Sequence, residues 1–384
     1  MKSVYMDNNA TTMIAEEVLS AMNRVSHLFG NPSSMHACGR EASKAVEHAR
    51  RQVAELIGAG EDEIIFTSGG TESDNTVFSL ARELIDSGSP RNRIVTSVIE
   101  HPAIIETCKY LGTKGYKIDF APVDRTGKVD LGQLQNLIDD DVLLVSIMMG
   151  NNETGTIQDI EAISAMAKSN GALFHTDAVQ AIGKLFIDVH ALNIDYLSLS
   201  AHKFYGPKGV GALYVRKGAP FETYVKGGHQ EEGRRAGTYN TQSIVGLGEA
   251  ARLASESLEE ERTKLWAMRE RLREGILTSI PNVTVNGHPS DCLPGTLNVS
   301  FSSAEGESIL LMLDLNGIAV STGSACATGS LEPSYVLLAS GLDIELAHGS
   351  IRFSLGRYNT FEDVDYVLET LPPIIKRLRG ISTR

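Results

Sequence analysis

Five apolar stretches of the chain are each followed directly by polar or ionisable residues. The stretches are typical of buried strands, and they are Glu63–Thr67, Arg93–Val98, Val142–Met149, Ala172–Thr176 and Tyr196–Ser200. The residues that follow them include, in chain order, the run SGGTES from Ser68, His101, the run GNNETG from Gly150, Asp177 with Gln180, and Lys203. A surface loop would also supply polar residues, so one such junction says little. Five junctions that offer an amine, a carboxylate, an imidazole and amides indicate a single binding crevice.

The chemistry of pyridoxal phosphate would use this set of side chains. The cofactor needs a lysine for a Schiff base, and Lys203 follows an apolar strand. It needs a carboxylate that keeps the pyridine nitrogen protonated, so that the ring acts as an electron sink, and Asp177 is the candidate. Gln180 can bond the ring oxygen, and His101 can stack on the ring. Each signal alone is weak, because a lone lysine is usually solvated and a lone aspartate after a strand is often a helix cap.

The phosphate of such a cofactor has candidate ligands at two of the junctions. Gly70 and Thr71 lie in a glycine-rich turn that opens a helix, where free backbone N–H groups and the helix dipole favour an anion. Ser200 and His202 immediately precede Lys203 and can add a hydroxyl and an imidazole. The sequence therefore predicts that the phosphate binds between these two turns.

The alternation of strands and helices predicts how these residues are positioned. Short apolar strands separated by helices indicate an α/β fold with a mostly parallel sheet covered on both faces, in which ligands bind beyond the carboxyl ends of the strands. The charged stretch Glu249–Ile276 is typical of a helix, and we predict that this helix crosses from the large domain to a smaller α+β domain. We predict a large domain over 14–255, and a small domain formed by 1–13 together with 256–384.

Composition excludes several classes of function. The 384 residues include 35 basic and 48 acidic ones, giving a formal net charge of −13, which argues against nucleic-acid binding. We find no signal peptide and no apolar run long enough to span a bilayer, so we expect a cytoplasmic protein that does not bind membranes.

The four cysteines predict neither a disulfide framework nor a metal knot. Cys38, Cys108, Cys292 and Cys326 are dispersed and form no CxxC pair. We interpret the first three as buried, small apolar residues. Cys326 lies among small and glycine residues in GSACATGS, a context that favours an exposed functional thiol.

The chain resembles the NifS/IscS family of cysteine desulfurases over essentially its whole length. The matching stretches are Tyr5–Thr12, Gly30–Ser34, Phe66–Asn75, Glu100–Pro102, Asn151–Gly155, His175–Lys184, Ser200–Gly209, Gly227–Thr238, Ser321–Val336 and Ile351–Arg357. The runs SAHK and GSAC, in this order and context, are the most specific of them. The resemblance implies a fold of the aminotransferase type (PLP fold type I), a homodimer, pyridoxal phosphate on Lys203 and a persulfide on Cys326.

The resemblance also implies roles for further residues. Asn152 would lie beside the cofactor ring and the substrate, and Arg352 would bind the substrate carboxylate. Thr238 would reach the phosphate of the neighbouring subunit, and His101 would move protons as well as stack. The implied reaction takes sulfur from L-cysteine onto Cys326, releases L-alanine, and passes the sulfur to an iron–sulfur scaffold or another acceptor protein. The sequence leaves open which acceptor that is, which pathway it serves, and whether Cys326 ever holds a cluster.

Two alternatives compete with this interpretation. Another pyridoxal-phosphate enzyme of the same fold, such as an aminotransferase or a selenocysteine lyase, would keep Lys203 and Asp177 but have no use for Cys326. A non-enzymatic platform for iron–sulfur assembly proteins would leave the cofactor residues without a role, yet none of the set is missing.

Overall fold

The computed structural model describes residues 2–322 and 332–382. Its strands are β1 (Val4–Tyr5), β2 (Ile64–Thr67), β3 (Arg93–Ser97), β4 (Lys117–Ala121), β5 (Val142–Ser146), β6 (Leu173–Asp177), β7 (Tyr196–Ser200), β8 (Gly211–Val215), β9 (Val283–Asn286), β10 (Thr296–Phe301), β11 (Ile318–Ala319) and β12 (Ser350–Ser354). Its helices are α1 (Glu16–Arg24), α2 (Ala37–Ile57), α3 (Gly70–Asp86), α4 (Pro102–Thr113), α5 (Leu131–Leu137), α6 (Ile160–Ser169), α7 (Thr241–Ser279), α8 (Gly306–Asp314), α9 (Tyr335–Ala339), α10 (Ile344–His348) and α11 (Phe361–Ser382).

A seven-stranded sheet forms the centre of the larger part of the molecule. Its strand order is β2-β8-β7-β6-β5-β3-β4, and β8 pairs antiparallel with both of its neighbours while the other pairs are parallel. The predicted mostly parallel sheet is therefore confirmed. Sequence analysis did not identify β8, which is inserted between β2 and β7.

The two faces of this sheet contact separate hydrophobic cores. Val95 and Val145 belong to one core, whereas their chain neighbours Ile94 and Leu144 belong to the other. This division follows from the strand period of two, which sends successive side chains to opposite faces. Helices thus cover both faces of the sheet and leave its strand ends free to carry the site.

A second, smaller sheet has its own core. Strands β9, β10 and β12 are antiparallel, in the order β12-β10-β9, and the short strand β1 pairs parallel with β11. Helix α7 joins the two cores, because Ile244 is buried in the first and Ile276 in the second. The N-terminal residue Val4 belongs to the second core, so the chain start packs with the C-terminal third. The exact domain boundaries stay a prediction.

Among the helices within residues 2–322 and 332–382, none is long and apolar enough to cross a membrane.

Candidate active site

A cavity of about 300 Å³ opens at the carboxyl ends of the strands in the larger sheet. Ten of the predicted site residues line it, and they are Gly70, Thr71, His101, Asn152, Asp177, Gln180, Ser200, His202, Lys203 and Arg352. Residues far apart in sequence thus share one crevice, as the strand-end argument predicts. Two predicted residues are not in this set: Thr238 is exposed and lines a different hollow, and Cys326 lies outside the described residues.

Lys203 enters the cavity from a short 3₁₀ turn, Ala201–Lys203, that directly follows β7. Its Nζ donates hydrogen bonds to the backbone oxygens of Asn9, at 2.6 Å, and Ala10, at 2.8 Å. The N-terminal segment is held over this turn because Thr12 donates to His202 O through both its backbone N–H and its Oγ1. The amine therefore points across the crevice from a firmly held backbone.

Asp177 is the last residue of β6 and is buried, with 5% of its surface exposed. Its Oδ1 accepts a hydrogen bond of 2.9 Å from the backbone N–H of Val179. Burial raises the pKa of this carboxyl, while electrostatic interactions with His101 and Lys203 oppose the rise. A cationic partner such as a protonated pyridine nitrogen would favour the ionised carboxylate in this buried position.

His101 occupies the N-cap of α4, one residue before Pro102. Its Nδ1 accepts a hydrogen bond of 3.1 Å from the backbone N–H of Ala103, so in the neutral ring the hydrogen is on Nε2. Burial lowers the pKa of His101, Asp177 acts against this effect, and Lys203 adds to it. The ring is thus held in one tautomer, with a defined donor available to the cavity.

The anion-binding end of the cavity is built from the start of α3 and the end of β7. Gly69 precedes α3 with φ of 151°, a backbone conformation that favours glycine. At Gly70, a Cβ atom would lie 2.6 Å from Val179 Cγ2, so a larger residue would close the approach to the helix N-terminus. Ser200 is buried beside this turn, and burial with the charges of Lys203 and Lys208 lowers the pKa of His202 to about 4. His202 is therefore a neutral imidazole near pH 7.

Arg352 and Asn152 form another part of the cavity lining. Arg352 is 2% exposed on β12; its Nη1 donates to Asn152 O at 2.8 Å, and its Nη2 donates to Asp7 Oδ1 at 2.8 Å. Within the part of the chain that the structure describes, Arg352 Nε and Asn152 Oδ1 are both buried without a hydrogen-bond partner. Buried polar atoms are normally paired, so these two indicate a polar ligand that belongs in the cavity.

These residues fit pyridoxal phosphate with an amino acid beside it. The cavity offers an amine, a buried carboxylate for the ring nitrogen, an amide for the ring oxygen and a helix N-terminus for the phosphate. The unpaired donor and acceptor on Arg352 and Asn152 suit the carboxylate and amino groups of a substrate. No cluster of histidine, cysteine or acidic residues in the described ranges is arranged to hold a metal ion.

Sequence reasoning from the strand ends missed several residues of the cavity, and two of them are polar: Asn9 and Asp74. Asn9 receives Lys203 on its backbone oxygen, and its Nδ2 donates to Asn152 O at 3.2 Å. The run YMDNNATT contains it, but nothing in a short polar N-terminal segment shows that it crosses the crevice. Asp74 is buried on α3, where burial and the charge of Asp177 raise its pKa well above the ordinary value. In the sequence, only the position of Asp74, one helical turn beyond the glycine-rich turn, could have indicated that it lies at the site.

Fold and cavity together define a pyridoxal-phosphate enzyme of fold type I. The family model for aminotransferase class V matches residues 4–367. The chain is 51% identical over 383 residues to "Cysteine desulfurase IscS" of Methanosarcina thermophila, covering 99% of this chain and 94% of that protein. It is 48% identical over 384 residues to "Cysteine desulfurase NifS" of Azotobacter vinelandii, covering 100% and 95%.

Solved structures agree with this assignment. A "NifS-like protein" superposes with a TM-score of 0.90 at 40% identity and covers 100% of both chains. "SspA in complex with cysteine" superposes with a TM-score of 0.81 at 35% identity, covering 93% of this chain and 100% of that one. The chain belongs to the class-V aminotransferase family and, within it, to the pyridoxal-phosphate-dependent cysteine desulfurases. The predicted family, fold class and cofactor are confirmed.

Proposed function

We propose that this chain removes sulfur from L-cysteine, releases L-alanine and carries the sulfur as a persulfide on Cys326 before an acceptor protein takes it. The observation that carries the proposal is the single cavity in which Lys203, Asp177 and Arg352 meet. The role of Cys326 rests on the family resemblance, since that residue lies outside the described ranges. The homologous desulfurases support a place in iron–sulfur cluster assembly.

The cofactor residues divide into three groups: one residue would form the covalent link, others would contact the ring, and the rest would bind the phosphate. Lys203 would hold it covalently, and Asp177 would keep its ring nitrogen protonated. When bound, pyridoxal phosphate supplies an electron sink for the substrate. Gln180 would donate to the ring oxygen and His101 would stack on the ring. Gly70, Thr71, Ser200 and His202 would hold the phosphate, and Asn152 would lie beside ring and substrate.

The substrate carboxylate would take the place left open beside Arg352. Nη1 and Nη2 of this side chain already bind Asn152 O and Asp7, so the guanidinium plane is fixed. Nε is buried and unpaired within the described residues, and it is a donor for an incoming anion together with the second N–H of each Nη. The substrate would thus bind to an arginine that needs little reorganisation.

Proton movement falls to two titratable groups that line the cavity, His101 and Lys203. The neutral His101 can donate through Nε2–H, and Lys203 holds its amine against the N-terminal segment. His101 in this tautomer can deliver a proton, and the Lys203 amine in its neutral form can remove the substrate α-proton, once each is within hydrogen-bonding reach.

Sulfur transfer would follow as a nucleophilic step. The Cys326 thiolate attacks the substrate sulfur, an S–S bond forms, and the C–S bond breaks. The electron pair of the broken bond stays with the substrate carbon, which takes up a proton and leaves as L-alanine. The thiolate is the reactive form, so this step should accelerate as pH rises through the pKa of the thiol.

A coupled assay tests the proposal. Purified protein reconstituted with pyridoxal phosphate should be yellow and should release equal amounts of alanine and sulfide from L-cysteine with a thiol reductant. An aminotransferase would instead need a keto-acid acceptor and form no sulfide. A non-enzymatic platform would bind the acceptor proteins and produce neither product.

We also propose that the active unit is a cytoplasmic homodimer. Thr238 is exposed and lies outside the cavity of its own chain, which is consistent with a role at the phosphate of the partner subunit. Thr238→Ala should weaken cofactor binding in a dimer without affecting folding. Sedimentation that finds a monomer with full cofactor affinity would refute this arrangement.

A further inference from the structure

Lys184 does not itself line the cavity, but it contacts Asn9 and Gln180, which do, and the reaction described above does not use it. It lies at the end of the turn that follows β6, four residues after Gln180. Its Nζ donates to Gln180 Oε1 at 3.0 Å and to Asn9 Oδ1 at 3.3 Å. The Lys184 side chain thus links two features of the site. One is the Gln180 amide, which is expected to face the cofactor, and the other is the N-terminal segment that accepts hydrogen bonds from Lys203.

The hydrogen bonds around Gln180 select one orientation of its amide. An ammonium group can only donate, so the atom of Gln180 that faces Lys184 must be the oxygen. On the other side, Gln180 Nε2 donates to Asn9 O at 2.8 Å, and a carbonyl oxygen can only accept. Both partners therefore require the same orientation. The second N–H of Nε2, which has no other acceptor in the described part of the chain, is left for the cavity that Gln180 lines.

A positive charge on Lys184 destabilises the folded protein. Burial lowers the pKa of Lys184 to about 7, and the charges of Lys203 and Arg352 add to this effect, while Glu261 acts against it. An apolar side chain of similar length would avoid the cost of burying the charge. A partly buried cation that is costly to the fold and contacts two residues of a binding cavity is a candidate for a functional role.

We propose that Lys184 is a positioning residue, which holds the Gln180 amide so that its Nε2–H faces the ring oxygen of pyridoxal phosphate. This inference rests on the proposed function, because the contact between Gln180 and the ring oxygen belongs to that proposal. Lys184 acts through Gln180 and touches neither substrate sulfur nor Cys326 in this scheme.

A double-mutant cycle on cofactor binding tests the proposal. Lys184→Met removes the cation and keeps the chain length, and Gln180→Leu removes the amide itself. Titration of the cofactor-free proteins with pyridoxal phosphate should show about tenfold weaker binding for Lys184→Met, the loss expected for one hydrogen bond to a charged group. The visible absorption band of the bound cofactor should move in the same direction in both variants. The double variant should bind no more weakly than Gln180→Leu alone, because the two residues act as one unit.

Matched controls separate positioning from general damage. Lys184→Arg keeps a donor-only cation and should bind the cofactor more tightly than Lys184→Met. Lys44→Met removes an exposed lysine on α2 and should change neither affinity nor spectrum. Wild-type affinity and spectrum in Lys184→Met, or strictly additive losses in the double variant, would overturn the proposal.

Stability of the cofactor-free protein gives a readout that does not depend on activity. Because the folded-state pKa of Lys184 lies near 7, below its ordinary value, the unfolded chain binds one more proton between the two pKa values. Wild-type stability should therefore rise with pH across this window, and Lys184→Met should lose that rise and be at least as stable at pH 7. A variant that is less stable at pH 7 and binds the cofactor normally would show a structural role instead. If the wild type itself fails to bind pyridoxal phosphate, the proposed function fails rather than this inference alone.

Discussion

Replacing Arg352 by lysine should raise the KM for L-cysteine strongly while leaving cofactor affinity unchanged. The arginine is 2% exposed, and its two Nη atoms bind Asn152 O and Asp7 Oδ1 at 2.8 Å each. Lysine keeps the positive charge but has no planar fork, so it cannot satisfy both partners and also present the donor that Nε offers to a carboxylate. One lost hydrogen bond between charged groups is worth about 1.5–3 kcal/mol, which is roughly a 10- to 150-fold weaker binding of substrate.

Steady-state kinetics with L-cysteine and a titration with pyridoxal phosphate measure the two expected effects. If the lost contact binds substrate and transition state equally, KM rises and kcat changes little. Asp7→Asn is a useful comparison, because it removes the carboxylate that holds Nη2 and should produce a smaller increase in KM. A KM within twofold of wild type, or an equal loss of cofactor affinity, would show that Arg352 does not bind the substrate carboxylate.

Three further predictions concern buried groups of the cavity and its surroundings. Lys203→Ala should leave no cofactor attached to the protein after borohydride treatment, and a labelled peptide elsewhere would identify a different anchor. Asp177→Asn should stay folded and lose most turnover, because the ring nitrogen loses its carboxylate partner; near-normal alanine production would contradict this. Glu100, whose pKa is raised to about 8 by burial, contributes stability below its ordinary pKa that is lost as pH rises through 8. Above pH 8, the free energy of unfolding of Glu100→Gln should therefore exceed that of wild type by on the order of a few kcal/mol, and the variant should unfold at a higher urea concentration.

Much of the larger sheet could be predicted because its strands are buried on both faces. Tyr196–Ser200 matches the predicted strand. The predictions for β2 and β3 are one residue too long at one end, and the prediction for β6 is shifted by one residue at both ends. The prediction of Val142–Met149 was too long, since β5 ends at Ser146. Of the apolar residues that follow, Met148 lines the cavity, while Ile147 and Met149 are buried in the hydrophobic core. Apolar composition identifies burial, but it does not show where the ladder of backbone hydrogen bonds stops.

Strand β8 and the N-terminal crossing could not be predicted for a different reason. β8, Gly211–Val215, is a short apolar run that follows a glycine-rich segment, and only its pairing with β2 and β7 identifies it as a strand. Asn9 lies in a short polar segment whose place over Lys203 depends on contacts between residues far apart in the sequence. The hydrogen bond between Lys203 and Asn9, for example, joins residues separated by 194 positions. Such long-range placement leaves no periodic signal in the sequence.

Site residues could be predicted where the residue at a strand end has a side chain with a specific role in the chemistry of the cofactor. Lys203 and Asp177 were found in this way, and both line the cavity. The sequence does not mark Lys184 as a site residue, although it ends the resembling stretch His175–Lys184, because a lysine in a turn is usually solvated. Its contacts with Gln180 and Asn9 become visible only in the folded chain.

The most direct test of the central claim is to locate the transferred sulfur. Wild-type protein with pyridoxal phosphate is treated with L-cysteine without a reductant, digested after thiol alkylation, and analysed by mass spectrometry, with alanine measured in the same sample. We predict one added sulfur atom on the peptide that contains Cys326, one alanine for each sulfur bound, and neither product in Cys326→Ser, although that variant still binds cofactor and substrate. Added sulfur on Cys38, Cys108 or Cys292, or alanine formation by Cys326→Ser at the wild-type rate, would contradict the account.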